Sequence, residues 1–316
     1  MTHSLDPLCD FQPGESLARA LAEHAVSCRC DLHGRRLFTR ALLACGAGLA
    51  VPAWADGVQM DSQSALSMLA PAEEIESAAA QQYREMLNQA AQQRALAPAD
   101  HPQVRRLRAI AQRLIPYSNE PNLHTTPRAR QWNWEVNLIG SSQINAFCMP
   151  GGKIAFYYGI LEKLQLNDDE VAMVMGHEIA HALREHARER MGKTAATRGV
   201  IEIGSALLGL GSGGRYLADM GGQLLTLRFS RDDEIEADKI GLDLSARAGY
   251  DPRAGISLWH KMASASRGAP PQWLSTHPSG SSRIRDIEDT LPAVLPVYER
   301  AGRPAQRFGP PSQRGG

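Results

Sequence analysis

The 316-residue chain carries 34 Lys and Arg against 34 Asp and Glu. That balance offers no net field for nucleic acid or for an anionic membrane surface, so no nucleic-acid partner is expected. No apolar run reaches the roughly 18–20 residues needed to span a bilayer, and a hydrophobic fraction of 43% fits a globular protein of one or two domains.

In chain order, the first feature is a leader over residues 1–55. Gly34 to Arg40 is basic, Ala41 to Val51 is apolar, and Ala53-Trp54-Ala55 forms a small-x-small cleavage signal before Asp56. Arg35 and Arg36, followed by Phe38 and Arg40, resemble a twin-arginine export signal; the competing reading is a general secretory signal. Leu43-Ala44-Cys45 resembles a lipidation box, but the four residues between Arg40 and Cys45 are too few for an apolar core. Cleavage after Ala55 removes Cys9, Cys28, Cys30 and Cys45 and leaves Cys148, so no internal disulfide is expected. The expected location is the periplasm, with peripheral membrane association left open.

Residues 56–100 read as an N-terminal helical segment, in which 72–95, rich in Ala, Glu and Gln, forms a polar outer helix. A second helix covers 102–115. Trp132 to Ile139 alternates like a strand. Ile144 to Tyr158 reads as two short extended runs around Pro150-Gly151-Gly152, where the glycine pair permits a tight turn. Helices follow at about 159–165, 168–191, 195–210, 231–248, 252–266 and 281–290. The apolar, Gly-rich stretch 199–225 is interrupted by Glu202, Arg215 and Asp219. It reads as a mobile helical pair over a site in preference to a membrane-dipping hairpin. Residues 296–316 are Pro/Gly-rich and read as a disordered tail beyond a catalytic domain at 101–295. The expected fold class is α+β, mostly helical, with a small antiparallel sheet.

Chemistry enters at residues 171–190, VAMVMGHEIAHALREHARER. Asn167-Asp168-Asp169-Glu170 supplies a helix cap and an acidic first turn. His177 and His181 are four apart and project from one helix face. Two imidazoles so placed can share one zinc ion, with Glu178 beside it as general base. The competing reading is a buried polar helix with two satisfied histidines. A catalytic zinc needs a third protein ligand. Phe229 to Gly241, FSRDDEIEADKIG, provides Glu234 and, one turn later, Asp238. Glu234 can bind zinc, and Asp238 can accept the Nδ1–H of a zinc histidine. Glu236 is the rival ligand but lies on another face from Asp238. His186 reads as surface, and His277 by itself reads as a structural loop histidine.

Four blocks together resemble the zinc metalloendopeptidases of the HtpX, BepA and LoiP type, relatives of the CAAX prenyl proteases and the mitochondrial Oma-type protease. They are Asn145 to Gly152 (NAFCMPGG), Gly176 to His181 (GHEIAH), Ser230 to Asp238 (SRDDEIEAD), and Thr276-His277-Pro278 with Arg283-Ile284. The resemblance implies a gluzincin-type fold with one Zn2+ on His177, His181 and Glu234, and Glu178 as general base. It implies that Asp238 and Arg283 support the ligands, and that Asn145, Ala146 and Phe147 form an edge strand pairing with an extended substrate. His277 would stabilise the oxyanion or cap the resting zinc. The implied partners are unfolded or misfolded proteins, cleaved in envelope quality control. Two rival readings are a catalytically silent zinc-binding chaperone and a non-peptidase metallohydrolase.

Overall fold

The computed structural model describes residues 57–194, 196, 224, 227–266, 271–278 and 282–312. All of these fall within the compact unit Ala55–Gly316. The leader, its cleavage site, the helix expected at 195–210 and nearly all of the 199–225 stretch lie outside the described residues.

Helix α1, Ala72–Gln92, buries Ile75, Ala79, Tyr83 and Ala90. Ala79, Tyr83 and Ala90 pack with Ile139, Met149 and Ala155, so the polar-looking helix covers one face of the sheet, while Ile75 packs with Ala70 and Met191. Helix α2, Pro102–Leu114, starts on His101, whose Nδ1 accepts the Gln103 N–H at 3.2 Å, with Pro at its first position. Strands β1 (Glu135–Ile139), β2 (Ala146–Met149) and β3 (Lys153–Tyr157) follow. The β2–β3 turn places Gly151 and Gly152 at φ 84 and 75. A Cβ on Gly152 would also lie 2.8 Å from the Trp134 ring.

The sheet order is β1-β3-β2, with β3 antiparallel to β2 and parallel to β1. The expected antiparallel sheet is therefore mixed. No hairpin joins β1 to β2, so β3 inserts between them, running with β1 and against β2. Among the described residues this leaves β2 as an edge strand with one side unpaired.

Helices α3 (Tyr158–Lys163), α4 (Asp168–Leu183), α5 (Arg231–Arg247), α6 (Ala254–Ala265), α7 (Gln272–Thr276) and α8 (Arg283–Arg300) follow the sheet strands along the chain. Helix α4 is the buried centre, with every residue except Asp169 out of solvent. Its capping box is reciprocal: Asn167 Oδ1 accepts the Glu170 N–H and the Glu170 carboxylate accepts the Asn167 N–H, both at 2.9 Å.

Helices α4 and α5 meet at two glycines. A Cβ on Gly176 would lie 3.0 Å from the Gly241 carbonyl oxygen, and one on Gly241 would lie 2.9 Å from the His177 nitrogen. This contact sets the distance between the two helices that carry the site. Gly241→Ala is expected to lower stability by about 1–3 kcal/mol and to weaken metal affinity by moving Glu234 away from His177. Urea unfolding and metal titration check this; an unchanged midpoint and affinity would remove the glycine contact from the account.

Helix α4 stops at Leu183 instead of continuing to 191. Arg184 caps it, Glu185 takes φ 57, and helical backbone resumes at 186. Helix α8 continues to Arg300, past the expected end at 290, through Pro292 and Pro296. Each proline removes one N–H, while buried Val294 and Val297 hold the last turns on the core. The chain end differs from the expected disordered tail. Phe308 and Gly309 donate their N–H groups to Asp168 at 2.7 and 3.2 Å, and Arg307 Nη1 meets Asp169 at 2.7 Å. The tail thus satisfies carboxylates at the start of α4. Among the described residues no helix is long and apolar enough to cross a membrane.

Candidate metal centre

His177 and His181 sit one turn apart on α4, their Nε2 atoms 3.1 Å apart. Glu234, in the first turn of α5, places Oε2 3.5 Å from His177 Nε2 and Oε1 3.4 Å from His181 Nε2. His277, just past α7, places Nδ1 3.0 Å from Glu234 Oε1 and 3.2 Å from His177 Nε2. The four buried residues offer donor atoms all within 4.8 Å of one another. Converging imidazole lone pairs repel unless a proton or a cation lies among them. Three nitrogens and one carboxylate oxygen are a donor set that suits a borderline divalent ion such as zinc.

The surroundings prepare these donors. His177 Nδ1 lies 2.9 Å from Asp238 Oδ1, so the proton belongs on Nδ1 and the Nε2 lone pair faces the cluster. Burial alone would lower the pKa of His177, but hydrogen bonds to Asp238 and Glu234 outweigh it and raise the value to about 9. For His181, burial prevails and, with His177 and His277 nearby, holds the pKa well below the ordinary value. Burial would raise the Glu234 carboxyl, yet the facing His277, His177 and His181 hold it far below the carboxylate range.

Arg283 binds both supporting carboxylates. Its Nε and Nη2 donate to Asp238 at 2.7 and 2.6 Å, and its Nη1 donates to Glu234. The guanidinium also rests 4.0 Å from the Trp259 ring centroid. Asp238→Asn is expected to weaken metal binding about 10–100-fold, because the Nδ1–H of His177 loses its charged acceptor. Competition against a chelating dye measures this, and parental affinity in the variant would show that Asp238 does not orient the ring.

Glu178 is buried beside the cluster. Its Oε1 accepts the indole N–H of Trp273 at 2.6 Å and lies 3.6 Å from His277 Nε2. Trp273 and His277 stack, 4.8 Å between centroids at 22°. The cleft between β2 and α4 is lined by Asn145, Ala146 and Phe147 on one side, with Glu178, His181 and His277 on the other. Tyr157 N–H bonds Asn145 O at 3.0 Å. Strand alternation therefore points the main-chain groups of Ala146 and Cys148 toward the unpaired edge. Asn145 Oδ1 covers one of them, the Ala146 N–H, at 3.0 Å.

His177, Glu178, His181, Glu234, Asp238, His277 and Arg283 thus lie at this centre, with Asn145, Ala146 and Phe147 on the wall of the adjoining cleft. Glu236, the rival ligand, turns away from the cluster to Arg184 and His186. His186 corrects the surface reading: it is buried, with Nδ1 2.9 Å from His181 Nδ1. In an unbroken helix an offset of five residues points about 140° away; the break at Glu185 brings His186 back. Trp273 was not singled out, although its spacing of four from His277 was visible in the sequence. Phe229, just before α5, stacks on His181 with 4.0 Å between centroids at 25°.

Comparison with known proteins agrees with the resemblance read from the motifs. The chain is 36% identical over 198 residues to the mitochondrial metalloendopeptidase OMA1 of Schizosaccharomyces pombe, covering 62% of this chain and 55% of that protein. It is 40% identical over 179 residues to mitochondrial metalloendopeptidase OMA1 of Arabidopsis thaliana, covering 54% and 35%. It is 32% identical over 170 residues to the beta-barrel assembly-enhancing protease of Escherichia coli, covering 51% and 35%. The chain therefore spans about half or less of the length of these relatives. The profile of Peptidase family M48 matches residues 101–291, well over half of the sequence, and the chain belongs to that family.

Proposed function

We propose that this chain is a zinc-dependent endopeptidase that hydrolyses unfolded or misassembled proteins of the cell envelope. The observation that carries the reading is a buried carboxylate, Glu178, beside the convergent His177, His181 and Glu234, with Glu178 and His181 lining a cleft along β2, whose outer edge is unpaired among the described residues. His177, His181 and Glu234 would hold the ion, and Asp238 with Arg283 keeps His177 and Glu234 in place. When bound, the ion acts as a Lewis acid toward the scissile carbonyl and acidifies water. Glu178 accepts the proton from the attacking water and delivers it to the leaving amine. His277 closes the donor set at rest and, once a carbonyl enters, donates to the developing oxyanion.

The free edge of β2 reads backbone through Ala146 and Cys148, so extended chains are preferred and side-chain selectivity is loose. A folded protein has few unpaired extended segments to offer. The envelope assignment is supported by the export-like leader and by the likeness to the beta-barrel assembly-enhancing protease of E. coli. The test is incubation of the zinc-loaded chain with reduced, unfolded casein and, separately, with a disulfide-locked folded protein. Cleavage of casein with sparing of the folded protein is expected. No cleavage of either, or equal cleavage of both, would contradict the proposal.

A further inference from the structure

We propose that His186 and Glu236 form a positioning relay for His181, matching on the second histidine what Asp238 and Arg283 do for the first. The proposal rests on the metallopeptidase reading above. His181 turns Nε2 toward Glu234 and His177 and its other nitrogen toward His186. If the Nε2 lone pair is kept for a cation, the ring proton must sit on Nδ1. His186 Nδ1, 2.9 Å away, must then be the acceptor, so His186 carries its own proton on Nε2. That nitrogen lies 3.2 Å from Glu236 Oε2. Each donor and acceptor role follows from the one before it.

The far end of the relay is anchored. Arg184 donates to Glu236 through Nε at 2.9 Å and Nη2 at 3.2 Å. Its Nη1 reaches the carbonyls of Asp61 at 2.9 Å and His124 at 3.0 Å. The ring of His181 is further clamped by Phe229. The local backbone serves the same end. Glu185 takes a left-handed φ of 57, uncommon for a non-glycine residue, and that turn delivers His186 to His181. Without His186, the Nδ1–H of a buried ring would lose its partner, and the opposite tautomer would compete for the site.

The test is zinc affinity of the full chain, measured by competition with a chelating dye, for the parent, His186→Leu and His186→Asn. His186→Leu should bind zinc about 10–100-fold more weakly. His186→Asn, whose Oδ1 replaces Nδ1 as acceptor, should recover most of that loss, and thermal unfolding of the metal-free proteins controls for folding. Parental affinity in His186→Leu, or no recovery in His186→Asn, would overturn the relay while leaving the metal site intact. A parent that binds no zinc would overturn the metallopeptidase reading as well. Should His186→Leu fail to fold, nitrogen-15 spectra of the zinc-loaded parent read the tautomer directly. A neutral His186 protonated on Nε2 is expected, and one protonated on Nδ1 overturns the proposal.

Discussion

Glu178→Gln is expected to slow peptide hydrolysis by about 10²–10⁴-fold or more while zinc remains bound at parental stoichiometry. The amide keeps the shape of the side chain and can still accept the Trp273 N–H, so local packing should survive. It cannot take a proton from water. Glu178 stands outside the four-residue donor set, with the imidazole nitrogen of His277, Nε2, at 3.6 Å, so metal retention is expected. Initial rates on an unfolded substrate and zinc content of the same preparation give both numbers. A fast variant would move the base elsewhere, and full in-cell function in this variant would favour the chaperone reading.

Arg283→Met is expected to destabilise the metal-free protein by about 3–5 kcal/mol, because it strips the shared cation from two buried carboxylates. Arg283 donates to Asp238 twice and to Glu234 once, and all three residues are buried. Burial opposes ionisation of Asp238, and Arg283 with His177 reverses that, holding its pKa below the ordinary value. In the variant burial prevails and the folded-state pKa rises above the unfolded one. The penalty is then full at neutral pH, shrinks as Asp238 protonates in the variant, and goes on shrinking below about pH 4 as the parent loses its own Asp238 charge. Urea unfolding at two pH values measures it. A loss below about 1 kcal/mol at neutral pH, or one that grows on acidification, would contradict this assignment. Adding Asp238→Asn should recover part of the stability, since one of the two stranded charges is gone.

The legible parts of the centre were those set by local periodicity. Two histidines four apart must share a helix face, as must Glu234 and Asp238. The extended runs flanking Pro150-Gly151-Gly152 became β2 and β3 because two consecutive glycines accept the positive φ of the turn. What escaped depends on single residues or distant partners. His186 reaches the site only because Glu185 adopts a left-handed backbone, which no apolar pattern announces. The parallel β1–β3 pairing is a choice of neighbour made across the sheet, whereas hairpin logic reaches only β2–β3. The Pro/Gly-rich chain end looked unstructured because its partners, Asp168 and Asp169, lie far back in the sequence. The resemblance grouped His277 and Arg283 with the site; distances then related them to Glu234 and Asp238.

The most direct measurement is hydrolysis of an unfolded substrate by the metal-free chain as zinc is added back in known amounts. No activity is expected at the start, followed by a linear rise and a sharp break at one zinc per chain. Activity that needs no zinc, or zinc that binds one per chain without any hydrolysis, would contradict this expectation.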